Sequence, residues 1–444
     1  MSTVPASETR VDGDTLASGH RGPSIRDMSL VCGAFAVVML GTTVPTPMYT
    51  LYATEFGFGI DTSTLIFATY AAGVVAALIL FGRWSDMLGR RPVLLAGLGL
   101  SATSSLVFLM AGSVEHLLIG RGLSGLSAGL FTGTATAMIT EIAPPSWKTR
   151  AMVAAGVTNI GGLGIGPMVS GLLVQYGPWP LRLAFAAHMA MVVVAALAIS
   201  KVPETVARQP HTHLGVQRLS IPPGARTVFA RAASAAFAGF SVVGLFTSVV
   251  PTFLNQSLQI HNKAIAGVLV SALFLASAVA QIAARRLPAR AALLVGCTGL
   301  ALSAVLIGLA LGTESLPMLI AAAVSGGVGQ GTSFSKGLSA VVQAAPVSRR
   351  GEIASSYFVV AYLAISVPVV GVGLAARYWS LSLIGLIFGT LVAVVAMSSL
   401  VGTLLAGRFR DPRVAPHAPG AHPPSASPPP NTPKTPRQRR SHPH

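Results

Sequence analysis

Residues 82–91 read GRWSDMLGRR, ten residues held between two apolar runs at 63–82 and 92–112. Each run has about the 20 residues that a helix rising 1.5 Å per residue needs to cross a hydrocarbon core of about 30 Å. The quoted stretch carries three arginines and an aspartate. It is therefore a loop at a membrane surface, and its flanks are spans. Reading outward in both directions gives twelve such segments, at roughly 28–52, 63–82, 92–112, 116–142, 150–175, 180–201, 227–254, 264–284, 290–312, 315–344, 351–376 and 380–406. Composition agrees: 52% of the 444 residues are hydrophobic and 10% charged, where a soluble chain carries about 25% charged residues. An all-α integral membrane protein is expected, with the lipid bilayer as its solvent.

The formal charge of +17 raises the possibility of a nucleic-acid partner, and position argues against it. Of the thirty basic residues, twenty-five fall on one side of the twelve-span scheme and three, Arg182, Lys263 and Arg377, on the other; Arg121 and Lys336 lie within spans. Such a bias marks the cytoplasmic side, so both termini are expected there. The chain then divides into a polar N-terminus (1–27), a first six-span unit (28–202), a cytoplasmic linker (203–226), a second six-span unit (227–406) and a Pro/Arg-rich tail (407–444) that is expected to be disordered. The first span reads as uncleaved, since a signal peptide would place a short basic region directly before it. Cys32 and Cys297 both lie in apolar runs and read as buried thiols.

The two units look duplicated. Residues 82–97 (GRWSDMLGRRPVLLAG) and 281–296 (QIAARRLPARAALLVG) align without gaps at an offset of 199, and Glu115 and Glu314 repeat that offset. Pro145 to Arg150 and Pro346 to Arg350 follow the fourth span of each unit in the same way. Shared order and spacing favour an internal repeat.

Four features carry mechanism. In the opening loop, Gly82 and Gly89 permit tight turns and close helix approach. Asp86 can accept hydrogen bonds from a helix N-terminus, Arg90 can fork onto a carboxylate, and Arg91 adds positive charge. The start of span eleven, near Ser348 to Glu352, is the expected partner. Glu141 and Arg150, at the same membrane face, can extend an ion-pair network or stand as separate solvated charges. Arg121, in RGLSGLSAG (121–129), should face the interior or a wet cavity, because exposure to lipid at mid-bilayer costs at least ~2.5–3.5 kcal/mol; snorkelling to the headgroups is the other reading. GLGIGPMVSG (162–171) supplies Gly162, Gly166, Pro167 and Gly171 for close helix packing.

These motifs resemble three signatures of the major facilitator superfamily: the G-x-x-x-D-x-x-G-R-[RK] loop, the R-x-x-Q-G-x-G-x-G pattern with Ser124 and Ser127 departing from it, and the G-x-x-x-G-P-x-x-G-G motif with Ser170 departing. The last is seen in its 12-helix drug:proton antiporter branch. The resemblance implies two pseudo-symmetric six-helix bundles around a central cavity, a gating role for the loop, and proton coupling or substrate binding for Arg121. It implies secondary transport by alternating access, with export of a small organic or drug-like compound in exchange for protons.

Other candidates for the cavity are Tyr49, beside Pro45 and Pro47 in span one; Asn159; Gln330 and Lys336 in span ten; and Tyr357 in span eleven. For Tyr49 the outer aromatic belt is the expected place, with substrate contact the other reading, and Lys336 can reach the cytoplasmic headgroups. Were Arg121 and Lys336 on facing walls, uptake of a small anionic metabolite would be a rival function; a non-transporting membrane sensor of the same fold is another. Proton-coupled exporters of the family commonly hold a carboxylate deep in an N-half helix. Here no acid stands clearly at mid-bilayer, so Asp61 and Glu55 at the outer vestibule and His188 in span six are the titrating candidates, with simple packing the alternative for the histidine. No phosphate loop or metal-ligand spacing occurs, so no enzyme, cofactor or metal is expected. A monomer in a bacterial plasma membrane is expected.

Overall fold

The computed structural model describes residues 24–206, 217 and 219–405. The expectations for residues 1–23, the middle of the linker and the tail from 406 onward lie outside the described residues. Within them the first unit comprises α1 (Ile25–Thr43), α2 (Tyr49–Phe56), α3 (Ile60–Phe81), the short α4 (Trp84–Leu88), α5 (Arg90–Leu109), α6 (Val114–Ile142), α7 (Lys148–Tyr176) and α8 (Leu183–Ile199). The second comprises α9 (Arg226–Ser248), α10 (Val250–Gln256), α11 (Lys263–Ala283), α12 (Ala289–Thr313), α13 (Leu316–Gln343), α14 (Arg350–Ala375) and α15 (Leu381–Leu405). Spans one and seven are each built from two helices, α1 with α2 and α9 with α10, broken near Pro45/Pro47 and Pro251. Proline lacks the N–H that continues a helix, which explains both breaks.

Nine of these spans are long and apolar enough to cross a membrane on length and composition alone. Of the other three, α8 has only 17 residues. The remaining two, α6 and α13, are long but rich in Gly, Ser and Thr, and they carry Arg121 and Lys336. Both are the fourth span of their unit. The duplication shows elsewhere too. A 3-10 turn precedes the fifth span of each unit (Pro145–Trp147, Val347–Arg349). Pro167 and Pro368 lie inside α7 and α14, those same fifth spans.

The outer surface is apolar: Val194, Val279 and Leu391 are each more than 60% exposed. In water such a belt would be an aggregation surface; against acyl chains it is the ordinary solvent-facing side. Inside, small residues set the spacing. α7 lies against both α1 and α11: Gly162 and Gly166 face Ala36, Leu40 and Thr43 of α1, while Gly171 faces Lys263 and Gly267 of α11. With no hydrophobic drive between helices in lipid, such close backbone approach is what van der Waals packing requires.

The units meet along α7–α11 and α3–α14. At the end away from the linker, here the far end, they are stitched closely. Arg377 pairs with Asp61 of α3, the Lys263 N–H donates to Gln175 Oε1 at 2.8 Å, and Asn262 reaches the Tyr176 hydroxyl at 3.4 Å. At the linker end the contacts loosen. Gly156 has only Gln281 Oε1 at 3.6 Å from where its Cβ would stand, and a cavity of about 280 Å³ opens between α7, α11 and α13.

Candidate functional site

The break in span one creates a polar centre inside an apolar bundle. In a continuous helix the carbonyls of Gly41 and Thr43 would accept from residues 45 and 47, which are prolines. The chain instead turns through a 3-10 segment, Thr46–Met48. The neighbouring Thr42 carbonyl is taken by Arg121 Nη1 at 2.5 Å. The Arg121 guanidinium also lies over the ring of Tyr70 at 4.5 Å and that of Phe67 at 5.5 Å. Its residue exposure is 1%, so it points inward and does not snorkel. Arg121 is seven residues into α6, about 10 Å from the far end at 1.5 Å per residue.

The arginine is held but incompletely satisfied. Insertion costs ~2.5–3.5 kcal/mol; a desolvated cation–π contact returns about 2 kcal/mol and a charged hydrogen bond about 1.5–3 kcal/mol. These terms nearly cancel. Yet Arg121 Nε and the hydroxyls of Thr50 and Tyr52 are buried with no hydrogen-bond partner among the described residues, while Tyr49 lies against Arg121. Tyr49 is 1% exposed, which removes it from the aromatic belt and places it beside Arg121. Tyr362 of α14 meets Tyr70 edge-on at 6.3 Å, so the second unit touches the wall of this centre. The arrangement can receive a polar or anionic group on a ligand with an aromatic or apolar body.

The other interior candidates lie elsewhere. Gln330 is buried and accepts from Ser277 Oγ at 2.5 Å. The Tyr357 hydroxyl donates to the Ala232 carbonyl at 3.3 Å, with its ring stacked on Phe334. Asn159 is half-buried on α7. Lys336 Nζ donates to the Leu287 carbonyl at 3.0 Å. Twenty residues into α13, Lys336 lies about 20 Å deeper than Arg121, measured from the far end. The two cations are not on facing walls of one cavity: each sits about two turns from an opposite end of its helix. His188 is fully satisfied, with Ser105 Oγ at 2.7 Å from Nδ1 and the Val37 carbonyl at 3.1 Å from Nε2.

At the linker end, the GRWSDMLGRR loop forms a compact network. Arg90 pairs with Asp86 at 2.5 Å and Glu141 at 2.8 Å, and donates to Ser85 Oγ at 2.7 Å. The expected partner at the start of span eleven is not engaged. Asp86 is 63% exposed, and Arg349 there bonds Glu352 and Ser220. Arg150 stands apart, over the Trp147 ring at 5.0 Å. Arg91 donates to the Ser200 carbonyl.

The central residue of this network is Glu204, which the sequence reading passed over. Its carboxylate accepts from the N–H of Arg90 at 2.8 Å and of Arg91 at 3.0 Å. It thus caps α5, where helix partial charge favours an anion. Gly89, at φ +101°, adopts a backbone conformation that a side chain would strain, and a Cβ there would stand 2.5 Å from Glu204 Oε2 and displace the capping carboxylate. The signal was VPET (202–205), an acid directly after the proline that follows span six, in a chain with only thirteen acids. Glu204→Ala is expected to remove about 1 kcal/mol of cap stabilisation, and Gly89→Ala to cost about 1–3 kcal/mol. Both should lower the melting temperature of the detergent-solubilised protein, with Gly89→Ala the lower.

The family model described as Major Facilitator Superfamily matches residues 31–369. A probable multidrug-efflux transporter of Mycobacterium tuberculosis is 37% identical over 138 residues, 29% of this chain and 28% of that one. The class E tetracycline resistance protein of Escherichia coli is 35% identical over 112 residues, 25% of this chain and 27% of that one. The chain spans about a quarter to two fifths of the length of the curated relatives it matches. The crystal structure of the human organic anion transporter MFSD10 (TETRAN) superposes with a TM-score of 0.60 at 18% identity, covering 86% of this chain and all of that one. At that identity the likeness concerns the fold.

Proposed function

The chain belongs to the major facilitator superfamily of membrane transporters, and on that premise we propose that it exports small organic or drug-like compounds in exchange for protons by alternating access. In this reading it is a monomer in the plasma membrane, with linker and termini cytoplasmic, and the far end faces outward. The structure then corresponds to a state closed outside and loosened inside.

The observation that carries the reading is the buried, under-satisfied Arg121 in its aromatic box, reached from the other unit by Tyr362. Aromatic walls with one fixed cation suit a flat organic compound with a polar group. The name of one relative, a probable multidrug-efflux transporter, favours the outward direction. Lys336 lies too far from Arg121 for the two to neutralise one anion, so the uptake reading has no joint site in this state.

Proton coupling is assigned to Asp61. Its carboxylate is 18% exposed and bound to Arg377 across the two units at the far end. In this reading the Asp61–Arg377 pair holds the far end closed; when the far end opens the two separate, and the unpaired Asp61 carboxylate takes up a proton from outside. Asp61→Asn and Arg377→Gln should therefore each abolish acceleration by a pH gradient, and the double variant should do no more than either, as expected for partners in one interaction. The test is flux in proteoliposomes under an imposed gradient, with a panel of organic cations and anions. Flux that ignores the gradient for every transported compound defeats the proton assignment; absence of any flux favours the sensor reading.

A further inference from the structure

The cavity at the linker end lies outside the centre described above, and its lining has a distinct chemistry. It is formed by Thr149, Met152, Val153 and Gly156 of the first unit and by Gln281, Arg285, Ser335, Lys336 and Ser339 of the second, among others. Two cations, three hydroxyls and an amide converge there, and no carboxylate lines it. Nor does any acid occur in residues 143–157, 281–290 or 335–350, the stretches that contain its lining, whereas Lys148, Arg150, Arg286 and Arg290 add positive charge. Arg285 is already aimed along the wall, donating to the Thr149 carbonyl at 3.3 Å. The other side is apolar and open to the membrane: Met152 is 59% and Ile282 47% exposed. At about 280 Å³, the volume suits a headgroup or a small organic acid rather than a whole drug-sized ligand.

We propose that this cavity binds an amphipathic anion, its acidic group between Arg285 and Lys336 and its apolar part along Met152 and Ile282. Cations on both sides of a partly desolvated pocket favour a phosphate, sulfonate or carboxylate, and the apolar wall requires a hydrocarbon or aromatic portion beside it. Because α7 contributes from one unit and α11 and α13 from the other, an occupant bridges the two units where they are loosest. It thereby favours the conformation seen here. The assignment is independent of what the Arg121 centre exports.

Two sources have this chemistry, an anionic phospholipid of the surrounding leaflet and a free organic anion. Native mass spectrometry of the full chain with phosphatidylglycerol and phosphatidylcholine of equal chain length reads the first. Equilibrium dialysis of naphthalene sulfonate against the chain in phosphatidylcholine nanodiscs reads the second. Retention of phosphatidylglycerol about tenfold over phosphatidylcholine is expected, falling to near parity in Arg285→Gln/Lys336→Gln. Arg286→Gln/Arg290→Gln removes the same charge from the same loop outside the cavity and should leave the preference intact. Gly156→Leu fills the cavity without changing charge and should lower binding, since its Cβ meets only Gln281 Oε1 at 3.6 Å. Saturable sulfonate binding lost in the cavity variants, without lipid preference, assigns the site to free anions. Equal losses in the two double variants, or no loss in either, overturn the proposal. Thermal melts that match wild type keep misfolding from imitating a loss.

Discussion

Arg121→Leu is expected to lower transport by at least about 100-fold while leaving the protein folded. The energetics decide this. Removing the guanidinium relieves an insertion cost of ~2.5–3.5 kcal/mol. It forfeits cation–π contacts worth about 2 kcal/mol and leaves the buried Thr42 carbonyl unpartnered, for about 1–3 kcal/mol. Stability should therefore change little. Function should not survive, since among the described residues no other basic side chain is fully buried beside the break in span one. Arg121→Lys retains charge but not the planar fork or the ring stacking, and should fall by about tenfold. Melting temperature and flux are measured on the same preparation. A large drop in melting with flux in proportion would make Arg121 a structural residue and sink the assignment.

Gly267→Val should nearly stop the transport cycle from the far end. A Cβ at Gly267 would stand 2.1 Å from the Pro167 carbonyl oxygen and 3.3 Å from Gly171 Cα. Both obstacles are backbone, so α7 and α11 must separate. Overpacking of this kind costs about 1–3 kcal/mol, and each 1.4 kcal/mol moves a two-state balance tenfold. The closed far end should therefore become rare. Cysteines placed at Tyr176 and Asn262, whose side chains meet tip to tip at 3.4 Å, should be bridged readily by a short bifunctional thiol reagent in the parent and at least about tenfold more slowly with Gly267→Val. Gly156→Ala on the same seam, with open space around it, should leave both rates unchanged. Equal crosslinking in parent and Gly267→Val would show that this seam does not set the far-end closure.

Much of this was legible because lipid imposes simple demands. Twelve apolar runs and one-sided arginines give spans and duplication directly, since a backbone in hydrocarbon must be helical. Arg121, Pro45 and Pro47 are recognisable because a charge or a lost hydrogen bond at depth always needs a partner. That Arg121 takes the carbonyl of Thr42 depends on three helices meeting, and no spacing reveals it. Glu204 was missed for the same reason: its meaning comes from the N-terminus of α5, more than a hundred residues earlier. Tyr49 was expected in the belt because a tyrosine near a span end looks alike on either face, yet it is 1% exposed. Asp86 was matched to span eleven, but here it pairs within its own loop, with Arg90 four residues on.

The low hydropathy of α6 and α13 also bears on how the chain is made. Segments this polar are poor at leaving an insertion channel for the bilayer alone. Each is followed by a Pro-marked turn and a helix, α7 or α14, apolar enough to enter by itself. Biogenesis should thus proceed by hairpins, each weak helix delayed until its successor emerges from the ribosome and carries it in.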